Sequence, residues 1–491
     1  MILLFFETVA WDYISLIAII IAYFMVIYLI IKTLLQNRNP ISTLSWIIVL
    51  ITVPFMGIVL YFMFGQKITR RWIFSGMRNK EIVHMNRISN NQLKELQNIN
   101  KVEDKYLYEY YKLISLLLKN NSSFLSSNNH LKIFHEGKDV YDLLLKDIEN
   151  AERFIHFEYY LIENGQVVDQ LFEKLIEKSD NGVKVSFVMD GIGSRGLSDH
   201  NIQNLKSHGI EVLQFRPVRF PNLTTKMNYR NHRKIVVIDG VIGYTGGINI
   251  TDKYLINHGE EGYWRDTHIR IYGDSVKMLE AIFQLDRFNI TKQIDEDLSF
   301  YFPDFNAHPG VHMQIASSNP ESGTPNIHHA FFMAITSAKR SIRLISPYFI
   351  PDESLLMALK TAAAGGVKVE IILPGIIDSM FVQYSARSYI QQLLRNDIDV
   401  YFYQKGFIHA KILLIDDLLS LIGTANFDYR SFYHNYEITA LIYDKDTTLE
   451  FIDQFEKDKK DSEKIVLSKW RKRPVRQKIF ESLARLYAPL I

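Results

Sequence analysis

One spaced pattern of polar residues occurs twice in this chain. Each copy reads His-x-Lys, with an Asp five residues after the Lys and an Asn seventeen residues after the His. The two copies are His232, Lys234, Asp239, Gly246 and Asn249, and His409, Lys411, Asp416, Gly423 and Asn426. Five residues kept at one spacing in two places indicate an internal duplication, which restricts the fold to two like units.

The blocks around the motif repeat in the same order. The segment "AERFIHFEYYLI" from Ala151 resembles "AKRSIRLISPYFI" from Ala338, and "NGVKVSFVMDGIGS" from Asn181 resembles "GGVKVEIILPGIIDS" from Gly365. Two unrelated α/β units with generic strands are the alternative, and the shared order of several blocks argues against it. We expect two α/β/α repeats, 126–306 and 307–491. A pseudo-twofold axis between them would bring both His-Lys pairs into one site.

Composition excludes several kinds of chemistry. The 491 residues suffice for about three domains. The net charge of +2 argues against nucleic acid as a partner. The absence of cysteine excludes disulfides, thiolate nucleophiles and cysteine-bound zinc, and no His-Glu-x-x-His run is present. We therefore predict neither a metal nor any other cofactor.

The first 66 residues predict a two-helix transmembrane anchor. Residues 14–31 are nearly all apolar, and residues 41–64 form a second long uncharged stretch in which Pro54 and Gly57 predict a kink. A signal peptide is disfavoured because the first twelve residues carry Glu7 and Asp12 and no Lys or Arg. A buried hairpin is disfavoured because core helices are rarely apolar on all sides.

Basic residues predict the orientation of this anchor. Five follow the second apolar stretch: Lys67, Arg70, Arg71, Arg78 and Lys80. Their position predicts that the remainder of the chain lies on the cytoplasmic side of the cell membrane. The pattern of residues 67–125 predicts a juxtamembrane helical linker that ends in the turn-rich run "NNSSFLSSNN".

The C-terminal tail is basic and then amphipathic. Lys469, Arg471, Lys472, Arg473 and Arg476 precede apolar residues at helical spacing, from Ile479 to Leu490. Two interpretations are open. The helix docks on the catalytic core with a solvated basic face, or it lies on an anionic membrane.

Both motifs predict a strand that carries reactive side chains. In "KIVVID" and "KILLID", alternation places each His and Lys on one face. Asp239 points to the other face of a regular strand, so we expect it to pair locally or with the other half. As motif members, Asp239 and Asp416 are nevertheless grouped with the catalytic candidates. Asn249 and Asn426 can bind the substrate phosphate through amide donors.

This residue set suits phosphodiester transfer without a metal. Two Lys and two Asn can neutralise the phosphoryl oxygens, while one His attacks phosphorus and the other serves as acid and base. Each His also needs a carboxylate to fix its tautomer. We assign Asp266, 34 residues after His232, and Glu437, 28 residues after His409, each within its own half.

The doubled His-x-Lys-x4-Asp motif resembles the signature of the phospholipase D superfamily. Together with the apolar N-terminus, "WRDTHIRIYG" and "RPVRQKIFESLARLYAPL", it resembles the bacterial cardiolipin synthases within that superfamily. The resemblance implies phosphatidyl transfer between two phosphatidylglycerols, with anionic membrane lipids as partners. It also implies that His232 is the nucleophile and His409 the acid and base, a choice that two equivalent motifs leave open.

Four other activities stay open. Three are a membrane-bound phospholipase D that uses water, another phosphatidyltransferase, and a membrane-tethered nuclease, which the near-neutral charge disfavours. The fourth is a non-catalytic scaffold that binds anionic lipid, which has no need of paired histidines.

Overall fold

The computed structural model describes residues 2–36, 40–65, 80–96, 105–217, 228–255, 263–295, 297–304, 308–376 and 379–487. The chain divides into two compact units. The first contains Met1–Ile68 with Val218–Tyr229, and the second contains Thr69–Pro217 with Arg230–Ile491.

The described part of the first unit is helical and apolar. It comprises α1 (Ile2–Leu35), α2 (Pro40–Thr52), α3 (Pro54–Leu60) and a π-helical turn (Tyr61–Gly65). Within α1, Ser15–Leu35 is long and apolar enough to cross a membrane, with a mean hydropathy of 2.5. The helices pack around Leu29, Leu50 and Tyr61.

The second apolar stretch is broken, as Pro54 predicted. Val53 leaves the helical region at φ −134°, because proline lacks the N–H and its ring clashes with the preceding turn. Among the described residues only α1 is therefore long and apolar enough to cross a membrane, and the second spanning helix stays a prediction. Residues 67–79, which hold most of the basic residues used to predict orientation, lie outside the described ranges.

The second unit begins with α4 (Lys80–Leu96), α5 (Lys105–Glu109) and α6 (Tyr111–Asn121). The first repeat follows. Its helices are α7 (Gly137–Glu149), α8 (Gln166–Asp180), α9 (Asp199–Ser207) and α10 (Val276–Thr291). Its strands are β1 (Asn129–Phe134), β2 (Phe154–Tyr159), β3 (Lys184–Asp190), β4 (Glu211–Phe215), β5 (Lys234–Ile238), β6 (Ile242–Gly246), β7 (Tyr263–Arg265) and β8 (His268–Gly273).

The second repeat completes the unit. Its strands are β9 (His312–Ser318), β10 (Ser341–Ile345), β11 (Phe349–Ile350), β12 (Lys368–Pro374), β13 (Asp399–Tyr403), β14 (Gly406–Ile408), β15 (Ile412–Ile415), β16 (Leu419–Gly423), β17 (Phe427–Asp428), β18 (Glu437–Tyr443) and β19 (Ser462–Lys464). Its helices are α11 (Asn326–Ser337), α12 (Glu353–Ala364), α13 (Met380–Leu394), α14 (Tyr429–Tyr433), α15 (Lys445–Lys460), α16 (Leu467–Arg471) and α17 (Val475–Tyr487).

The two main sheets have one strand order. The first runs β1-β8-β6-β5-β2-β3-β4, and the second runs β9-β18-β16-β15-β10-β12-β13, extended by β19. In each, the motif strand (β5 or β15) is central and pairs antiparallel with β2 or β10. The predicted duplication is confirmed, and both motif strands are fully buried as their apolar sequences require.

The segment before the first repeat belongs to the core. Helix α6 buries Leu113, Ile114 and Leu117 in the core cluster that includes β9. In the turn-rich run, Ser126 pairs with Met313 of β9 through two backbone hydrogen bonds of 3.0 and 2.9 Å. The interpretation of this run as a linker is corrected, because Ser126 and Asn129 bond backbone groups of Met313, Val311 and Ser275 and so belong to the folded unit.

Candidate active site

Each motif histidine is hydrogen-bonded to the backbone of the opposite repeat. His232 N–H donates to the carbonyl of Tyr436 at 2.9 Å, and His409 N–H donates to the carbonyl of Arg265 at 2.7 Å. Strand β14, which leads into His409, pairs in parallel with β7 of the first repeat. These reciprocal contacts place both histidines at the boundary between the repeats.

The orienting carboxylates are exchanged between the repeats. Nδ1 of His232 lies 3.0 Å from both carboxylate oxygens of Glu437, and Nδ1 of His409 lies 2.8 Å from Oδ2 of Asp266. The assignment of each carboxylate to its own half is therefore wrong, although both residues are the ones predicted. Spacing along one repeat does not show that the neighbouring strand end comes from the other.

The exchange leaves both reactive nitrogens available. An Nδ1–H that donates to a carboxylate puts the lone pair on Nε2. Among the described residues, the hydrogen bonds of both rings are made through Nδ1 and none through Nε2. Both histidine residues are largely buried, at 8% and 7% exposure.

The two carboxylates are held by different partners. Asp266 accepts from Tyr254 Oη at 3.1 Å and from the backbone N–H of Thr267 at 2.7 Å. A Cβ at Gly247 would lie 2.0 Å from Asp266 Oδ1, so this position requires glycine. The corresponding residue of the second repeat is Thr424, whose hydroxyl donates to Glu437.

Asn435 Nδ2 adds a third donor to Glu437, at 3.1 Å. The chemically equivalent motifs thus have different surroundings.

Two buried lysines lie beside the histidines. Lys234 Nζ donates to the carbonyl of His232 at 3.1 Å, and Lys411 Nζ donates to the carbonyl of His409. Burial and the nearby Lys411 lower the pKa of Lys234 to about 7. Burial, and then Lys411, lower the pKa of His409 to about 3.

Burial also lowers the pKa of His232, with Glu437 offsetting part of the effect. The site therefore holds more potential positive charge than its two carboxylates neutralise, which suits an anionic ligand.

The carboxylates stay ionised in this setting. Burial by itself would raise the pKa of Asp266, but Lys411 and His409 lower it overall. Burial likewise opposes ionisation of Glu437, and His232 and Thr424 outweigh it, so its pKa is also lowered. Two ionised carboxylates can each stabilise an imidazolium during proton transfer.

Each of the two asparagines is buried with an unpaired amide oxygen. Asn249 and Asn426 follow the strands β6 and β16, and their Oδ1 atoms are buried without a hydrogen-bond partner in the described chain. Tyr141 fixes the backbone of Asn249, and Ser431 Oγ accepts from the backbone N–H of Asn426 at 3.1 Å. An unpaired Oδ1 is an acceptor, so it can pair with a substrate hydroxyl, whereas only the Nδ2 group of each side chain can donate to a phosphoryl oxygen.

The structure does not bring the motif aspartates to the site. Asp239 accepts from the backbone N–H groups of residues 152–154 at 2.8–2.9 Å, and Asp416 does the same for residues 339–341 at 2.6–2.9 Å. Both aspartates have φ of +53°. Each follows the end of the motif strand that is opposite the lysine, and five residues at 3.3 Å each put it about 16 Å from that lysine along the backbone. Their assignment as catalytic is corrected: they fix the start of β2 and β10.

Two tyrosines were missed by sequence reasoning. Tyr160 packs edge-on against His232 with ring centroids 4.9 Å apart. Tyr254 Oη lies 3.1 Å from Nδ1 of His409 as well as from Asp266. A weak signal exists for the second: Tyr254 follows Asn249 by five residues, as Ser431 follows Asn426. Among the described residues no group of three His, Asp or Glu side chains is arranged to hold a metal.

Comparison with known proteins assigns both repeats to one family. The family described as "Cardiolipin synthase, PLD-like domain" matches residues 144–285 and 331–459, one segment in each repeat. A second family, "Phospholipase_D-nuclease N-terminal", matches residues 17–66. Among solved structures, the phosphatidylserine synthase of Haemophilus influenzae has a TM-score of 0.61 at 14% identity, covering 77% of this chain and 100% of its own. This likeness supports the fold alone.

Relatives match over nearly the full length. A cardiolipin synthase of Staphylococcus aureus is 38% identical over 461 residues, 93% of each chain. The cardiolipin synthase of Alkalihalophilus pseudofirmus is 36% identical over 473 residues, 95% of this chain and 92% of its own. With two matched repeats and two reciprocally paired histidines, this chain belongs to the cardiolipin synthase family of the phospholipase D superfamily.

Proposed function

We propose that this protein is a phosphatidyltransferase that converts two phosphatidylglycerols into cardiolipin and glycerol. The observation that carries the proposal is the pair of His-Lys-Asn sets at one boundary, with each histidine oriented by a carboxylate of the other repeat. The names of the full-length relatives supply the choice of product. No cofactor takes part in the proposed reaction.

The first half-reaction transfers the phosphatidyl group to the protein. Nε2 of His232 attacks phosphorus, a P–N bond forms, and the P–O bond to glycerol breaks. His409 donates its Nε2 proton to the departing glycerol oxygen. Lys234, Lys411 and the two asparagines bind the non-bridging oxygens. The negative charge of the phosphodiester favours the protonated form of His409 and so raises its pKa from the value in the empty site.

The second half-reaction returns the group to a lipid. The terminal hydroxyl of another phosphatidylglycerol attacks the phosphohistidine, and Nε2 of His409 takes the hydroxyl proton. The P–N bond breaks and cardiolipin leaves. Both histidines regain their starting state, and the reaction is reversible because one phosphodiester replaces another.

We further propose how the protein meets its substrate. Helix α1 spans the cell membrane, the broken apolar stretch 40–65 forms a second crossing, and the catalytic unit lies on the cytoplasmic side around a pseudo-twofold axis. Anchoring keeps the site beside phosphatidylglycerol and other anionic lipids at high effective concentration.

Product analysis separates the candidates. Full-length protein in vesicles that contain labelled phosphatidylglycerol is expected to yield labelled cardiolipin and glycerol. Phosphatidic acid as the main product would indicate a hydrolase, and an exchanged head group with an added alcohol would indicate another phosphatidyltransferase.

Absence of turnover would indicate a non-catalytic scaffold that binds lipid. Cleavage of DNA by the same preparation would indicate a nuclease. His232→Asn and His409→Asn are the matched inactive controls, and the double variant is expected to be scarcely worse than either, since the two residues act as a unit.

A further inference from the structure

Exposed apolar side chains of the catalytic unit concentrate in one place. Between residues 80 and 487, eight of the fifteen exposed large apolar side chains that the structure describes lie on α17, at the start of α13 or, for Ile376, just before α13. They are Ile376, Met380, Phe381, Val475, Ile479, Phe480, Leu483 and Leu486. We call this set the α13–α17 face. Soluble surfaces rarely gather large apolar side chains in this way without a partner.

The two helices form one packed element. Ser385 Oγ donates to the carbonyl of Ala484 at 3.4 Å, and the rings of Tyr384 and Phe480 stack at 5.8 Å. Ala484 and Glu481 are buried against α13, while Ile479, Leu483 and Leu486 point away, with Leu486 70% exposed. The docked interpretation of the C-terminal tail is therefore confirmed, yet docking uses the small and polar side of α17 and leaves its apolar side uncovered by described residues.

The face lies at the edge of the sheet that holds the active site. Gly375 and Ile376 directly follow β12, one of the parallel strands whose carboxyl ends point toward the site. On α13, Tyr389 packs against Phe349 at 6.1 Å. The neighbouring Tyr348 packs edge-on to His409 at 6.5 Å. The two neighbouring residues Tyr348 and Phe349 thus contact the catalytic histidine and α13, respectively.

Charge around the face is mainly positive, with Asp378, between Ile376 and Met380, as an acidic exception. Residues 465–487 contain seven basic residues and one acidic residue, Glu481, and α13 contains no acidic residue. Glu481 is buried and bound by Arg473 at 2.7 Å, so it contributes no free negative charge. The exposed basic residues of the tail are Lys469, Arg471, Lys472, Arg476 and Arg485.

We propose that the α13–α17 face is a membrane-docking surface that inserts its apolar side chains into an anionic bilayer. Apolar residues bordered by exposed lysine and arginine match the interface of such a bilayer, where headgroups attract the cations and acyl chains receive the apolar groups. The surface acts independently of the N-terminal helix. It turns the active-site edge toward the lipids, so substrate reaches the histidines without leaving the bilayer.

Because the chain has no cysteine, single labels can test this directly. Leu483→Cys and Met380→Cys, in the full-length protein, are labelled with an environment-sensitive fluorophore and reconstituted into vesicles. We expect blue-shifted emission and quenching by lipids with a spin label on the upper acyl chain in phosphatidylglycerol vesicles, with at least about twofold less quenching in phosphatidylcholine or high salt. Leu449→Cys is the matched control, because this exposed residue of α15 follows the far end of β18.

Three results would overturn the proposal. Emission from residues 380 and 483 as water-like as that from residue 449 excludes insertion. Equal quenching in anionic and zwitterionic vesicles excludes recognition of charge. A blue shift in detergent that grows with protein concentration assigns the face to a second copy of the chain. These readouts need no turnover, so they do not depend on the proposed reaction.

A paired substitution tests the functional consequence. Ile479→Ser with Leu483→Ser, both on the solvent side of α17, is expected to lower turnover of vesicle lipid about tenfold and to leave turnover of a dispersed short-chain substrate unchanged. Leu449→Ser serves as control. Equal loss on both substrates, or loss on neither, contradicts the proposal.

Discussion

Glu437→Gln tests whether the two repeats exchange their carboxylates in function as well as in geometry. Glu437 is fully buried, and both its oxygens lie 3.0 Å from Nδ1 of His232. The amide keeps the volume and removes the charge. We therefore expect the catalytic unit to fold, and we expect the effect to appear in the chemistry of His232.

The magnitude follows from the lost hydrogen bond. A hydrogen bond to a buried ionised group contributes about 1.5–3 kcal/mol, which corresponds to roughly a 10- to 150-fold loss of rate. The loss rises toward about 10⁴-fold if the Gln amide donates to Nδ1, because the proton then sits on Nε2 and the nucleophilic lone pair is lost. Asp266→Asn is expected to do the same to His409.

The assay separates the two histidines by leaving group. A phosphatidyl substrate with an activated aryl leaving group needs no acid, so the variant that lacks acid function still forms the phosphohistidine and accumulates it. We expect Glu437→Gln to behave as His232→Asn. With either the activated substrate or phosphatidylglycerol, the protein should carry little acid-labile label. We expect Asp266→Asn to behave as His409→Asn, so the protein should retain label when the activated substrate is used.

Asp239→Asn is the control, because its side chain lies at the far end of the strand and only caps backbone N–H groups. If Glu437→Gln instead shares the behaviour of His409→Asn, the carboxylates act within their own repeats and the reasoning is wrong. If label is retained on His232→Asn and lost from His409→Asn, the roles of the two histidines are reversed.

Four further outcomes are expected. Turnover in vesicles survives EDTA, because the lysines and asparagines neutralise the phosphoryl charge; loss that one divalent ion restores would contradict this. Deleting residues 1–64 leaves a folded unit with poor turnover on bilayers, measured by circular dichroism and product analysis; full turnover would refute a role for the anchor in substrate access. Tyr254→Phe removes one donor from Asp266, which then stabilises the His409 imidazolium better, so the alkaline limb of the pH–rate profile moves to higher pH; an unchanged profile would show that Tyr254 is only structural. The unfolding temperature in detergent falls as the pH drops from 6.5 toward 3. Burial lowers the pKa of His268 and, together with Lys411, the pKa of His409 to about 3, so the unfolded chain binds protons at these histidines at a higher pH than the folded chain does. His268→Asn is expected to make the fall shallower.

Sequence reasoning succeeded where the evidence is local. Strand alternation alone places His232 and Lys234 on one face, and the opposite face receives Asp239, which the structure shows capping the backbone of residues 152–154. The proline break after Val53 also followed from local chemistry. Sequence reasoning failed for residues 120–129, whose polar composition is typical of a linker. Ser126 is instead buried beside β9, because a sheet edge supplies backbone partners that composition does not reveal.

By itself, the sequence determined that two like units exist, which side chains each contributes, and that these suit a phosphodiester. Only the tertiary structure decided which carboxylate serves which histidine. The reason is that β14 pairs with β7, and Asn231 with Tyr436, across distances of more than a hundred residues. Such pairings depend on how two folded sheets pack against each other, and the residue spacing within either repeat does not predict that packing.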